Sequence, residues 1–106
     1  MKQDKTLSLL GMAKRAGKVQ SGGFLAEKSI QSRRAALVII AEDVSGNTRK
    51  RFTDKCSSYG VPFKIYADMD LLGASIGCGP RSVVCVEDAG FAKALVKKME
   101  LPDPGE

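Results

Sequence analysis

The stretch Ser21-Gly22-Gly23-Phe24-Leu25-Ala26-Glu27-Lys28-Ser29-Ile30 is where residue types and spacing come closest to a chemistry. Read as a helix at about 100° per residue, it gathers Leu25, Ala26, Ser29 and Ile30 on one side and Phe24, Glu27, Lys28 and Gln31 on the other. The core face is complete without Phe24. An aromatic ring on the polar side, one turn from a lysine and at a glycine-opened helix start, offers a stacking surface beside amide donors for a phosphate. The same residues also suit a structural use, with Phe24 stapling the helix start to a neighbouring loop and Gly22-Gly23 permitting a tight turn; taken alone, they favour that use slightly. They resemble half of a dinucleotide-binding fingerprint, but the full G-x-G-x-x-G spacing does not occur.

Leu72-Gly73-Ala74-Ser75-Ile76-Gly77-Cys78-Gly79 is a second candidate. Its small residues admit the close approach of another backbone, and Ile76 is expected on an exposed loop, where a flat apolar side chain can cover an unstacked base. An ordinary connection from helix to strand would use the same residues. Basic side chains cluster at Lys14, Arg15 and Lys18, at Arg33 and Arg34, at Arg49, Lys50 and Arg51, and at Lys93, Lys97 and Lys98. Any soluble helix needs a polar side, so most of these read as solvated faces. Those near the starts of the second and third helices are the better phosphate candidates, which adds Ser45 and Arg49 to Lys28.

Glu42 and Asp43 end the first long apolar run and invite comparison with an acid and base pair. No nucleophile, imidazole or metal-ligand set accompanies them, and helix capping is the preferred role for Asp43. Histidine is absent, and Cys56, Cys78 and Cys85 show no C-x-x-C spacing. These counts argue against structural zinc, a disulfide framework and a catalytic triad. No metal, no cofactor and no enzymatic activity are expected. Cys78 is expected to be accessible, and Cys56 and Cys85 buried.

The elements that must position these residues follow from periodicity and punctuation. Leu9, Met12, Ala13 and Ala16 mark the buried stripe of a first helix that ends at Gly17. Lys18 to Gln20 make a short extended stretch before the second helix, which runs to about Ser32. The run Ala35 to Ala41 suits a strand covered on both faces. Ser45 caps a helix that places Phe52, Cys56 and Tyr59 on one face and ends at Gly60 before Pro62. A strand at Phe63 to Tyr66 follows. Asp68 caps a short helix through Leu72, and Gly73, Gly77, Gly79 and Pro80 predict a loop. Ser82 to Val86 is a strand, and Asp88 caps a last helix with Ala92, Leu95, Val96 and Met99 inward. Strands alternating with helices predict an α/β fold, a three-layer α/β/α sandwich on a small mixed sheet of about four strands.

At 106 residues and 43% hydrophobic composition, the chain suits one domain over 1–101 with a flexible tail at 102–106. A formal charge of +5 attracts polyanions and also serves solubility. Met1 to Lys5 is too polar for a signal peptide, and the longest apolar run is far too short for a bilayer, which predicts a cytoplasmic protein. A monomer is expected.

Taken together, Leu10-Gly11-Met12-Ala13-Lys14-Arg15-Ala16-Gly17-Lys18, Ser21-Gly22, Leu37-Val38-Ile39-Ile40-Ala41-Glu42-Asp43, Val61-Pro62 and Leu72-Gly73-Ala74 resemble the bacterial YlxQ-type branch of the kink-turn-binding ribosomal protein superfamily. The resemblance covers nearly the whole chain. It implies a sandwich that binds a sharply kinked RNA helix with tandem G·A pairs, through the start of the second helix and the loop before the last strand. Gly22 and Lys28 match the family signature G-x-N-E-x-x-K, while Phe24 and Leu25 stand where the Asn and Glu that help read guanines would be. The stretch Leu72 to Gly77 matches an apolar loop that packs over a flipped nucleotide, a mode that suits RNA recognition by shape and splayed bases. The implied site comprises Gly22, Gly23, Phe24, Leu25, Lys28, Ser45, Arg49, Gly73, Ala74, Ser75, Ile76 and Gly77. The implied partners are structured RNA, either a kink-turn or ribosomal RNA, and other ribosomal proteins. A protein-interaction module of the same fold with little RNA affinity is the alternative.

Overall fold

A computed structural model describes residues 4–100. The chain runs α1 (Lys5–Arg15), β1 (Val19–Ser21), α2 (Gly23–Gln31), β2 (Leu37–Ile40), α3 (Gly46–Tyr59), β3 (Phe63–Ile65), α4 (Met69–Ser75), β4 (Val83–Val86) and α5 (Ala89–Glu100). Side chains set most helix starts by accepting from a first-turn amide that has no partner within its own helix. Asp4 accepts from Leu7 N (3.0 Å), Ser45 from Thr48 N (3.1 Å), Asp68 from Leu71 N (2.8 Å) and Asp88 from Phe91 N (2.8 Å). Gly60 closes α3 in the left-handed conformation that glycine takes without strain, as its position before Pro62 predicts.

The sheet order is β1-β4-β2-β3, with β4 antiparallel to both neighbours and β2 parallel to β3. The two interior strands, β2 and β4, are buried at all four positions. Alternation along them supplies two cores. Leu37, Ile39, Val84 and Val86 pack with Leu10 and Ala13 of α1, Leu72 of α4 and Leu95 of α5. Val38, Ile40, Val83 and Cys85 pack with Ala26 and Ile30 of α2 and with Phe52 and Cys56 of α3. This is the expected three-layer α/β/α sandwich on a mixed sheet.

Three expectations need correction. First, the inward stripe of α1 is Thr6, Leu10, Gly11 and Ala13, and Met12 is left 51% exposed. The helix turns its glycine inward because α4 lies against it, with the Ser75 carbonyl oxygen 2.8 Å from where a Gly11 Cβ would stand. Second, α2 buries Ala26, Ser29 and Ile30 but leaves Leu25 44% exposed. Arg51 of α3 meets Glu27 on one flank of α2, and Leu25 lies toward the other flank.

Third, α4 continues through Gly73 to Ser75, and Ile76 is only 5% exposed, packed into the core with Leu10 and Leu72. Gly73 accommodates a close approach inside the helix and does not end it. A Cβ there would lie 1.9 Å from the Gly79 carbonyl oxygen. The expected loop from Gly73 to Pro80 thus shrinks to a turn between Gly77 and Ser82. The tail expected at 102–106 lies outside the described residues.

Candidate nucleic-acid interface

Three segments far apart in sequence meet at one edge of the sheet. Gly22 N–H donates to the Val83 carbonyl (3.1 Å), and Ala41 N–H donates to the Ser82 carbonyl (2.9 Å). The end of β1, the start of β4 and the end of β2 therefore lie side by side. From the first rises α2 and from the third α3, while the turn from α4 leads into the second.

Gly22 holds φ at 89°, a value that side chains disfavour, and gives α2 no side-chain cap. The Phe52 ring lies beneath Gly23, its Cζ 3.9 Å from a Cβ placed there. Phe24 projects from this base with 76% of its surface exposed, on the side opposite the core as its spacing predicts. Lys28 is exposed one turn further on, with no ion-pair partner among the described residues. Ser45 is occupied by the α3 cap and by donation to Thr48 Oγ1 (3.0 Å). Arg49 donates from Nη2 to the Glu42 carbonyl (2.8 Å), bracing the turn between β2 and α3. Gly77 lies exposed in the turn from α4 with φ at 76°.

Its neighbours in the candidate set stand elsewhere. Gly73 and Ile76 face the core. Ala74 and Ser75 line a groove of about 600 Å³ between α1 and α4, with Met12, Arg15 and Leu71, in the layer across the sheet from α2. The structure therefore brings Gly22, Gly23, Phe24, Leu25 and Lys28 together with Ser45 and Arg49, and keeps Gly73, Ala74, Ser75 and Ile76 with α4, while Gly77 opens the turn that leads back toward the edge.

The structural roles of two arginines at this edge escaped the sequence reading. Arg81 donates from Nε to Ser21 Oγ (3.2 Å) and from Nη1 to the carbonyls of Gly79 (3.2 Å) and Pro80 (3.0 Å). It ties the turn before β4 to the end of β1. The available signal was a lone arginine after Gly-Pro, where turn carbonyls need donors. Arg51, counted only as part of a basic cluster, pairs with Glu27 and lies 5.2 Å over the Phe52 ring. It locks α2 to α3 and offsets a carboxylate beside Lys28. Asp43 is a cap as expected, and the helix it serves is α4, through Met69 N (2.9 Å).

Burial pushes the Cys56 thiol up to about 11 and the Cys85 thiol up to about 12. Both are protonated at neutral pH and inert as nucleophiles. Cys78 is half-buried. A disulfide-exchange reagent at neutral pH should therefore titrate one thiol per native chain and all three after denaturation. Rapid reaction of two or three thiols in the native protein would contradict the burial of Cys56 and Cys85. Among the described residues no group of three His, Cys, Asp or Glu side chains is placed to hold a metal ion, and no helix is long and apolar enough to cross a membrane.

Comparison with known proteins places this architecture. The model of the ribosomal protein L7Ae/L30e/S12e/Gadd45 family matches residues 4–96. The RNA-binding protein YlxQ of Bacillus subtilis (strain 168) is 49% identical over 92 residues, which cover 87% of this chain and 92% of that one. The protein of the same name from Enterococcus faecium is 37% identical over 99 residues, 92% of this chain and 94% of that one. A solved structure from Bacillus halodurans, of a protein with unknown function, superimposes with a TM-score of 0.89 at 37% identity, covering 93% of this chain and all of that one. The resemblance carried by Leu10 to Lys18 and by Leu37 to Asp43 thus holds over nearly the full sequence, and the chain belongs to the ribosomal protein L7Ae/L30e/S12e/Gadd45 family, in its bacterial YlxQ-like branch.

Proposed function

We propose that this chain binds structured RNA, a kink-turn or a related fold of ribosomal RNA, at the edge where α2, α3 and the turn before β4 meet. One observation carries the reading. The starts of α1, α3, α4 and α5 are each closed by a side-chain acceptor, whereas α2 opens on Gly22 with none, beside exposed Phe24 and Lys28. Free amide donors, a cation and a bare aromatic ring at one place are what a phosphate backbone with an accessible base would engage. The family and the names of the YlxQ relatives support the same reading. In it, residues 1–101 act as one cytoplasmic, monomeric domain among ribosomal components, without catalysis. Gly22, Gly23, Phe24, Leu25, Lys28 and Gly77 face the RNA, while Ser45 and Arg49 shape the flank. Gly73, Ala74, Ser75 and Ile76 act from behind, by fixing α4 and its turn.

The test is filter binding of a kink-turn RNA and an unkinked duplex across a salt series. The kink-turn should bind more tightly, and affinity should fall with salt at a log–log slope of several released phosphate counterions. Lys28→Ala should weaken binding to every RNA and flatten that slope by about one unit. A flat salt response would remove the electrostatic basis of the reading. The exposed apolar pair Phe24 and Leu25 also suits a second reading, a protein-interaction module. It would replace the first if no structured RNA bound at low salt while a protein partner was recovered through this edge.

A further inference from the structure

We infer that the edge holds its RNA by stacking one unpaired base on the Phe24 ring, so that it selects an extruded nucleotide and tolerates the identity of that base; this rests on the RNA-binding reading above. Phe24 and Leu25 are 76% and 44% exposed, side by side, and their side chains carry no donor or acceptor. They cannot read a base edge by hydrogen bonding, yet a base can stack on the ring because every base has a π face. The other apolar cover the sequence suggested is gone, since Ile76 is 5% exposed and packed against Leu10 and Leu72. Phe24 and Leu25 are therefore the large apolar side chains that the candidate set presents to solvent.

The ring is also free and well mounted. Arg51 covers the Phe52 ring and Arg33 covers that of Tyr59, but Phe24 makes no such contact among the described residues. Its backbone is fixed from below by the hydrogen bond from Gly22 to Val83 and by the Phe52 ring against Gly23. The backbone is thus already ordered, and binding has only the ring's own rotamers to fix. Charge complements the arrangement, because Lys28 shares the Phe24 side of α2 at i+4 spacing and Glu27 is already paired with Arg51. An anionic strand would thus meet a cation beside the ring, a match that a purely apolar protein ligand would not need.

The experiment uses the full chain and a hairpin RNA whose duplex is interrupted by a three-nucleotide kink-turn bulge, with each bulge base removed in turn as an abasic residue. One abasic position should weaken wild-type binding by about tenfold or more, and changing the base identity there should alter affinity by less than about threefold. Phe24→Ala should bind the intact RNA about as weakly as wild type binds the abasic one, and should be indifferent to the abasic substitution. Phe24→Trp should keep the dependence and Phe24→Leu should lose it. Melting curves of all three variants should overlay the wild type. Wild-type indifference to every abasic RNA, with steep salt dependence retained, would overturn the stacking inference alone. Full affinity in Phe24→Leu would likewise overturn it in favour of plain apolar packing. Absence of any RNA binding at low salt would overturn both the inference and the reading beneath it.

Discussion

Gly73→Ala is expected to destabilise the protein by about 3 kcal/mol, at the upper end of the usual cost of overpacking. The added Cβ would stand 1.9 Å from the Gly79 carbonyl oxygen, 2.6 Å from its carbon and 3.1 Å from Pro80 Cα. All three are backbone atoms, so no rotamer change relieves the overlap. Either α4 must shift against α1, where Gly11 already meets the Ser75 carbonyl, or the turn from Gly77 to Ser82 must move outward. The second movement would drag Arg81 from Ser21 and disturb the edge where β1 ends. Chemical denaturation should show the loss, and for a domain of this size the melting point should fall by about 4–8 °C per kcal/mol. Gly46→Ala is the control, since a Cβ there meets nothing within 4 Å and its backbone is not in the left-handed region. It should leave stability within about 0.5 kcal/mol of wild type. A Gly73→Ala protein as stable as that control would show that the turn is free to slide.

The same contact explains what the sequence could and could not disclose. Strand β2 was legible because Leu37, Val38, Ile39 and Ile40 form a short, β-branched run apolar on both faces, which suits a covered interior strand. Ser45, Asp68 and Asp88 were legible because a cap is local, its acceptor lying three residues from its donor. Gly73 was misread because a glycine inside a helix costs about 1 kcal/mol relative to alanine, which makes it look like a terminator. Only the distant Gly79 carbonyl shows why that cost is outweighed. The rotation of α1 toward Gly11 has the same origin in α4.

At the candidate site the division is similar. Periodicity alone put Phe24 opposite Ala26 and Ile30, where the structure has it. Periodicity also put Leu25 on the core side, because a wheel cannot say how wide a strip the sheet will cover. The bonds from Arg81 to Ser21 and from Arg51 to Glu27 span elements that no sequence pattern pairs. Local chemistry thus disclosed the residues that could meet a ligand. The side chains that hold them in place became visible only once the layers were assembled.

Phe52→Ala should have the largest effect on stability, a loss of about 3–5 kcal/mol. Phe52 is the largest fully buried side chain on the α2 and α3 face of the sheet, 1% exposed among Ala26, Ile30, Val38 and Ile40. Its truncation would leave a cavity walled by two helices and the sheet, which can collapse only by drawing α2 or α3 inward. It would also remove the ring that lies under Gly23 and over which Arg51 is held while it pairs with Glu27. Two consequences should therefore appear together. Denaturation should show the large loss, and RNA affinity, measured well below the variant's melting temperature, should fall although Phe52 itself is out of a ligand's reach. Phe52→Leu, which refills part of the volume, should recover part of both. Phe24→Ala should show the reverse pattern, with affinity lost and stability within about 0.5 kcal/mol of wild type, because an exposed ring contributes little to folding. If Phe52→Ala lost stability and kept full affinity for the bulged RNA, the start of α2 would not depend on its packed base, and the account of Phe24 as a fixed platform would fail even if stacking itself survived.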